Sequence, residues 1–185
     1  GEIENAGSVK KVLLYETDQL IDSAFINDSN EFKFRGVSVD PNFYSIVAGE
    51  RSYLVVAKNG DELTFKADFT KESNSYEIDG SSESEKIQEL NKITNTHGKI
   101  FKQIQTRYSD LINAKPEAKD SIENALMPAF QKNMKDYSEA ILKFAEENNN
   151  NLVGFYAAGT LDKTKYEQQL IKFAEDIKPK FPNNK

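Results

Sequence analysis

The stretch LIDSAFINDSNEFKFRGVSVDPNFYSIV, Leu20 to Val47, decides the fold class. It reads as three short strands joined by two turns. Phe32 and Phe34 alternate with Lys33 and Arg35, the period-2 pattern of a half-buried strand. Asn27 to Asn30 supply a polar turn before them. Asp40-Pro41-Asn42 breaks the chain again, because proline fixes φ and donates nothing to a ladder.

Working outward, the same grammar holds from Val9 to Gly80. Val9 to Tyr15, Leu20 to Asn27, Glu31 to Val39 and Phe43 to Val47 follow at short spacing. Tyr53 to Ala57 is a continuous apolar run, as expected of a strand buried on both faces. Lys58-Asn59-Gly60-Asp61 predicts a hairpin, since Asn-Gly suits a turn with φ > 0 at both central positions. In the strand after it, Leu63, Phe65, Ala67 and Phe69 alternate with Glu62, Thr64, Lys66 and Asp68, which pins the register. Ser75 to Asp79 closes the set, with Tyr76 and Ile78 on one face. Short strands at even spacing predict an antiparallel sandwich or barrel.

At Gly80 the period changes from 2 to 3.6. Ser82 and Glu85 have capping-box spacing. Ile87, Leu90, Ile93, His97, Ile100, Ile104, Tyr108 and Leu111 then form the stripe of a helix to about Ile112. At 1.5 Å per residue that helix spans about 40 Å, more than the width of a small sandwich. Gly98 inside it allows a local bend. A second helix, about Pro116 to Glu147, carries Ile122, Leu126, Phe130, Met134, Tyr137, Ile141 and Phe144 on one face. A kink or break is expected just before Pro128. The short loop between them predicts an antiparallel hairpin. Leu152 to Ala158 is a short helix, and a last one, capped by Asp162, runs to Pro179. The expected architecture is therefore α+β: a sandwich of about seven strands over residues 1–80 and a helical part over 81–185.

Composition narrows the function. The 185 residues carry a net charge of −6 with lysines scattered among the acids, which gives nucleic acid no basic patch to bind. Phe 12 and Tyr 8 are enough to fill a core. With no Cys there is no disulfide, thiolate metal site or thiol catalysis in this chain. No apolar run approaches the roughly 20 residues of a membrane span. The start, Gly1 to Asn5 without Met, is compatible with a signal or lipid anchor removed upstream.

The search for chemistry is mostly negative. His97, the single histidine, lies on an apolar stripe and makes no zinc set. The close carboxylates Asp61-Glu62, Glu83 with Glu85, and Glu146-Glu147 sit beside turns and helix ends, where acids serve solvation and the helix dipole. No serine stands in G-x-S-x-G, and no phosphate-cradling glycine loop occurs. No catalytic, cofactor or metal residue is assigned. Phe43, Tyr44, Tyr53 and His97 are the candidates for a binding surface; core packing is the plainer role for the aromatics. The broad apolar faces of both long helices leave an overhang suited to a dimer or interdomain contact.

Asp22-Ser23-Ala24, Phe32-x-Phe34-x-Gly36 and Pro41-x-x-Tyr44, in that order, resemble the N-terminal domain of bacterial TlpA-like thiol-disulfide oxidoreductases, envelope proteins related to the AhpC-TSA type. Asn59-Gly60-Asp61, Gly80-Ser81-x-x-Ser84 and Asn151 to Tyr156 are similar to later landmarks of that family, and the likeness is best over residues 9 to 93. The resemblance implies a sandwich, then helices, then a thioredoxin domain whose C-x-x-C carries the redox chemistry. This chain lacks that pair, so the resemblance implies a non-catalytic accessory region, without cofactor, in the periplasm or cell envelope. It would position a downstream thioredoxin-like domain, dimerise or hold a protein substrate. Two alternatives stand beside it. One is a free-standing envelope lipoprotein that binds a ligand or peptide near Tyr44 and Tyr53. The other is a hydrolase that uses His97.

Overall fold

The computed structural model describes residues 1–36, 41–73 and 75–180. Among these residues seven strands precede four α-helices: β1 (Glu2–Glu4), β2 (Lys11–Glu16), β3 (Gln19–Phe25), β4 (Asn42–Ala48), β5 (Arg51–Ala57), β6 (Thr64–Asp68), β7 (Tyr76–Asp79), α1 (Ser82–Ala114), α2 (Lys119–Glu147), α3 (Leu152–Gly159) and α4 (Glu167–Ile177). The fold is α+β, as its two hydrophobic periods predict. One sheet has the order β3-β2-β4-β5 and the other β1-β6-β7.

Two-residue turns build the larger sheet. Thr17-Asp18 joins β2 to β3, and Gly49-Glu50 joins β4 to β5. Thr17 and Gly49 both have positive φ at the first turn position, as the twist of tight hairpins demands. Facing strands then place Tyr53 opposite Ile46 and Val55 opposite Tyr44 on one side of the sheet. That side meets Phe65 and Tyr76 of the other sheet, with Tyr53 to Phe65 at 5.1 Å and Tyr53 to Tyr76 at 5.3 Å between ring centroids. Edge-on aromatic contacts at these distances form the centre of the sandwich.

Three expectations are corrected. Asn59-Gly60 does not close a hairpin, because β5 and β6 belong to different sheets. Its turn, closed by the Asp61 N–H donating to the Lys58 carbonyl at 3.1 Å, starts a crossover between them. The crossover brings Glu62 so near Gly80 that a Cβ there would lie 2.0 Å from the Glu62 carbonyl oxygen, and Gly80 has φ +95°. Second, β1 pairs with β6 in parallel, so the sandwich is not wholly antiparallel. Third, the strand expected from Glu31 to Val39 forms only one bridge, Glu31 with Glu2, among its described residues. Residues 37–40 lie outside the described ones. The Phe32 N–H donates to the Gly1 carbonyl, and residues 33–36 are in no strand. The alternation still holds as burial: Phe32 is buried, Phe34 half-buried, Lys33 and Arg35 exposed. Period 2 reported which side chains face the core, not a ladder.

The helical part follows the apolar stripes. Ser81, not Ser82, caps α1, accepting from the Ser84 N–H. The helix runs unbroken through Gly98. Contacts between α1 and α2 climb in reverse order, from His97 with Asn133 through Phe101 with Phe130 to Tyr108 with Glu123, so the pair is the expected antiparallel hairpin. Pro128 does not break α2. It is exposed, as is Asn124, whose carbonyl loses its partner to the proline and is free to bond water. One hydrophobic core runs across Gly80, from Ile3 and Val12 in the sheets through Ile87 and Ile141 to Phe173 and Ile177.

Candidate functional site

The base of the hairpin is fixed to the sandwich by buried polar contacts. Ser84 is fully buried; its Oγ accepts from the Val56 N–H at 2.9 Å and donates to the Val56 carbonyl at 2.6 Å. These two bonds satisfy the outer edge of β5, which would otherwise be open to another strand. Tyr76 Oη donates to the Leu54 carbonyl on the same edge at 2.5 Å. Burial pushes the Tyr76 phenol well up from its ordinary value, so it stays a donor. Gln88 donates to the Ile78 carbonyl at 2.6 Å. Glu83 accepts from the Leu152 N–H at 2.8 Å, joining the first turn of α1 to that of α3. Its carboxyl is raised from the usual carboxylate range by burial, against the Leu152 bond and the Lys58 charge.

Away from that base the hairpin stands on its own two helices. The buried residues of α1 are Ser84, Ile87 and Leu90, all in its first turns. Farther out, Phe101, Ile104 and Tyr108 face Leu126, Met127 and Phe130 across an apolar groove of about 560 Å³. Phe101 and Phe130 lie 5.4 Å apart, and Tyr108 Oη donates to Glu123 Oε1 at 2.9 Å. Two helices cannot enclose a core, so large apolar side chains remain in water: Met127 is 44% exposed, Phe130 42% and Met134 43%. The polar groups Tyr108 and Glu123 satisfy each other, and what the groove offers is apolar, polarisable surface.

The four sequence candidates lie in three different places. Tyr53, 1% exposed, is core and lines no surface. Burial raises its phenol, whose oxygen has no hydrogen-bond partner among the described residues. Tyr44 is half-buried on the inward side of β4, two residues from Ile46. Phe43 points the opposite way and packs at 5.8 Å on Tyr156 of α3, where Phe155 and Tyr156 are themselves exposed. His97 sits in the hairpin, half-buried. The Asn133 amide donates to the His97 carbonyl at 3.0 Å, which turns its oxygen to His97 Nδ1 at 2.8 Å. Nδ1 therefore carries the proton in the neutral ring. Tyr137 packs on the ring at 5.5 Å. His97 thus bridges α1 and α2, and among the described residues neither serine nor carboxylate is hydrogen-bonded to it.

Sequence reasoning placed Phe130 and Met134 on the α2 stripe but passed over Phe101 and Met127. Both lie one residue beside a stripe member, and the extra breadth they give was the available signal of a surface wider than one helix contact covers. Among the described residues no cluster of His, Asp and Glu could hold a metal ion, and no helix is long and apolar enough to cross a membrane.

No curated protein and no solved structure matches the chain. Residues 1–87, which hold all seven strands and the first turn of α1 with Ser84, match a family model described as a domain of unknown function (DUF4369).

Proposed function

We propose that this chain is a non-catalytic accessory module of a cell-envelope protein of the TlpA-like type, a rigid base that carries a helical arm and positions a thioredoxin-like redox domain or its protein substrate. The observation that carries the reading is the structural work done by the residues of the resemblance. Phe32 and Phe34 pack edge to face at 5.3 Å, and Phe32 continues to Phe65 at 6.0 Å. Ser84 seals β5, and Asn151 caps α3 by accepting from the Gly154 N–H at 2.9 Å. These four residues support the scaffold, which is what an accessory region requires, and the redox cysteines would lie elsewhere in the parent protein.

The test begins with the coding sequence beyond Lys185. A following domain with C-x-x-C supports the proposal, and a stop codon at that point refutes it. In a parent that has such a domain, deleting residues 1–185 should leave reduction of a small disulfide intact and slow reduction of a protein disulfide. Equal rates on both substrates after the deletion would refute the positioning role.

A further inference from the structure

We infer that Asn59-Gly60 is a site of spontaneous covalent modification, at which the folded chain turns Asn59 into isoaspartate and loosens the crossover between its two sheets. The inference goes beyond the accessory role and stands without a redox domain. The Gly60 backbone nitrogen attacks Asn59 Cγ, forms a C–N bond and expels ammonia, which leaves a cyclic succinimide. Water then opens either carbonyl of the ring. One opening gives ordinary aspartate; the other gives isoaspartate, in which the main chain runs through the side chain. The attack is easiest beside a residue without Cβ, whose backbone can swing, and from a carboxamide that is free. Asn59 is the single asparagine of the sequence that precedes glycine. Asn59 and Gly60 are both exposed, and nothing outside its chain neighbours lies within 4 Å of where a Gly60 Cβ would be. The side chains of Asn5, Asn27, Asn42, Asn133, Asn148 and Asn151 are hydrogen-bonded, whereas among the described residues that of Asn59 is bonded to nothing.

The turn leaves the reacting bond free. The Asp61 N–H donates to the Lys58 carbonyl at 3.1 Å and the Lys58 N–H to Asp61 Oδ2 at 3.0 Å, so both bonds bracket the Asn59–Gly60 peptide without using it. Of the two central residues only Gly60 has positive φ, +93°, the pattern of a type II turn. Asp79-Gly80 contains the same reactive pairing, since an aspartate also cyclises on a following glycine, with loss of water. The fold blocks it. Asp79 is held in the ladder opposite Thr64, and Gly80 is wedged against Glu62, where a Cβ would lie 2.0 Å from the carbonyl oxygen. One glycine dipeptide is open and the other is locked. The consequence follows from where the open one sits. Isoaspartate adds a backbone atom inside the turn, so the Lys58–Asp61 closure and the path into Glu62 cannot both be kept. Glu62 is the residue packed on Gly80, and next to Gly80 stand the Ser81 cap of α1 and, through Ser84, the seal on β5.

Ageing of the purified chain in warm, mildly alkaline buffer, followed by peptide mapping, tests the inference. The peptide holding Asn59 should gain about 1 Da, an NH2 exchanged for OH, and should accept a methyl group from protein isoaspartate methyltransferase. It should be modified about tenfold faster than any other asparagine peptide of the folded chain. The Asp79-Gly80 peptide should stay unmodified in the folded chain and become a methyl acceptor in urea, because the fold alone protects it. Asn59→Gln lengthens the side chain by a methylene, which disfavours the ring, and should give neither product. Aged wild type should melt about 5 °C below fresh protein, while aged Asn59→Gln keeps its midpoint. Fresh Asn59→Asp, which has the new charge without the extra backbone atom, should melt near wild type. An Asn59 peptide that ages no faster than the other asparagine peptides overturns the inference, and so does equal modification at Asp79-Gly80 in the folded chain. Aged wild type that melts with fresh protein overturns the loosening of the crossover.

Discussion

Replacing Ser84 by alanine deletes one oxygen and strands two backbone groups. In the folded chain that oxygen serves the Val56 N–H at 2.9 Å and the Val56 carbonyl at 2.6 Å, in a site where Ser84 has no exposure. Val56 is 1% exposed, so water has no path to either group. Each buried group left without a partner costs about 1–3 kcal/mol, and the pair is expected to lose about 2–4 kcal/mol. For a chain of this length that lowers the thermal midpoint by roughly 5 to 15 °C. Ser81→Ala, three residues away, is the control. It removes a cap whose bond from the Ser84 N–H is long, 3.4 Å, and should cost about 0.5–1 kcal/mol. Urea unfolding of the two variants measures the difference, and hydrogen exchange at the Val56 amide locates it. Exchange at Val56 should accelerate in Ser84→Ala and stay near wild type in Ser81→Ala. Equal midpoints for the two variants, or an unchanged Val56 amide, would refute the claim that Ser84 seals the sheet edge.

Glu83→Gln keeps an acceptor for the Leu152 N–H and removes a half-buried charge. Because the folded-state pKa of Glu83 is raised above its ordinary 4.5, its stabilising contribution is present below that value and is lost as pH rises through the folded pKa; the Gln variant should therefore gain on wild type as pH is raised through that window in a series of thermal melts. Asp68 behaves in the opposite sense. Bonds from Thr70 and Asn5 hold it at about 2, so its contribution is present above about 3.8 and lost as pH falls toward 2, and Asp68→Asn should flatten the acid limb of the stability curve. Gly154→Ala would put a Cβ 2.1 Å from the Asn148 carbonyl oxygen, a backbone atom with nowhere to go; a loss of about 1–3 kcal/mol or more in urea unfolding is expected.

Legibility followed the range of each interaction. The α+β order, the switch of period at Gly80 and the antiparallel hairpin were readable because each depends on side-chain spacing within one element. The parallel β1–β6 pair was not, since a three-residue strand carries no period and its partner lies some sixty residues away. Asn59-Gly60 misled for a related reason: the dipeptide specifies a reversal of the backbone but not which sheet the chain enters afterwards. Pro128 does not end α2 because a broken helix and a continuous one differ by a single carbonyl, and solvent accepts that carbonyl when the proline faces outward. At the candidate site, the stripe residues Phe130 and Met134 could be found by period alone. That they are uncovered could not, because exposure depends on where the sandwich ends against α1.

That end point has a mechanical consequence. The sandwich and α3 bury the first turns of α1 and the last turns of α2 through Ser84, Glu83, Gln88 and the Ile87–Ile141–Phe144 core. Beyond Leu90 the arm is held by Asn133 with His97, Tyr108 with Glu123 and one layer of apolar contacts. Local opening should therefore be easiest between Ile100 and Phe130, where few buried contacts oppose it. Amides of the distal arm should exchange faster than those of β5 under native conditions. Equal protection in the two regions would refute an arm held by that single layer of contacts.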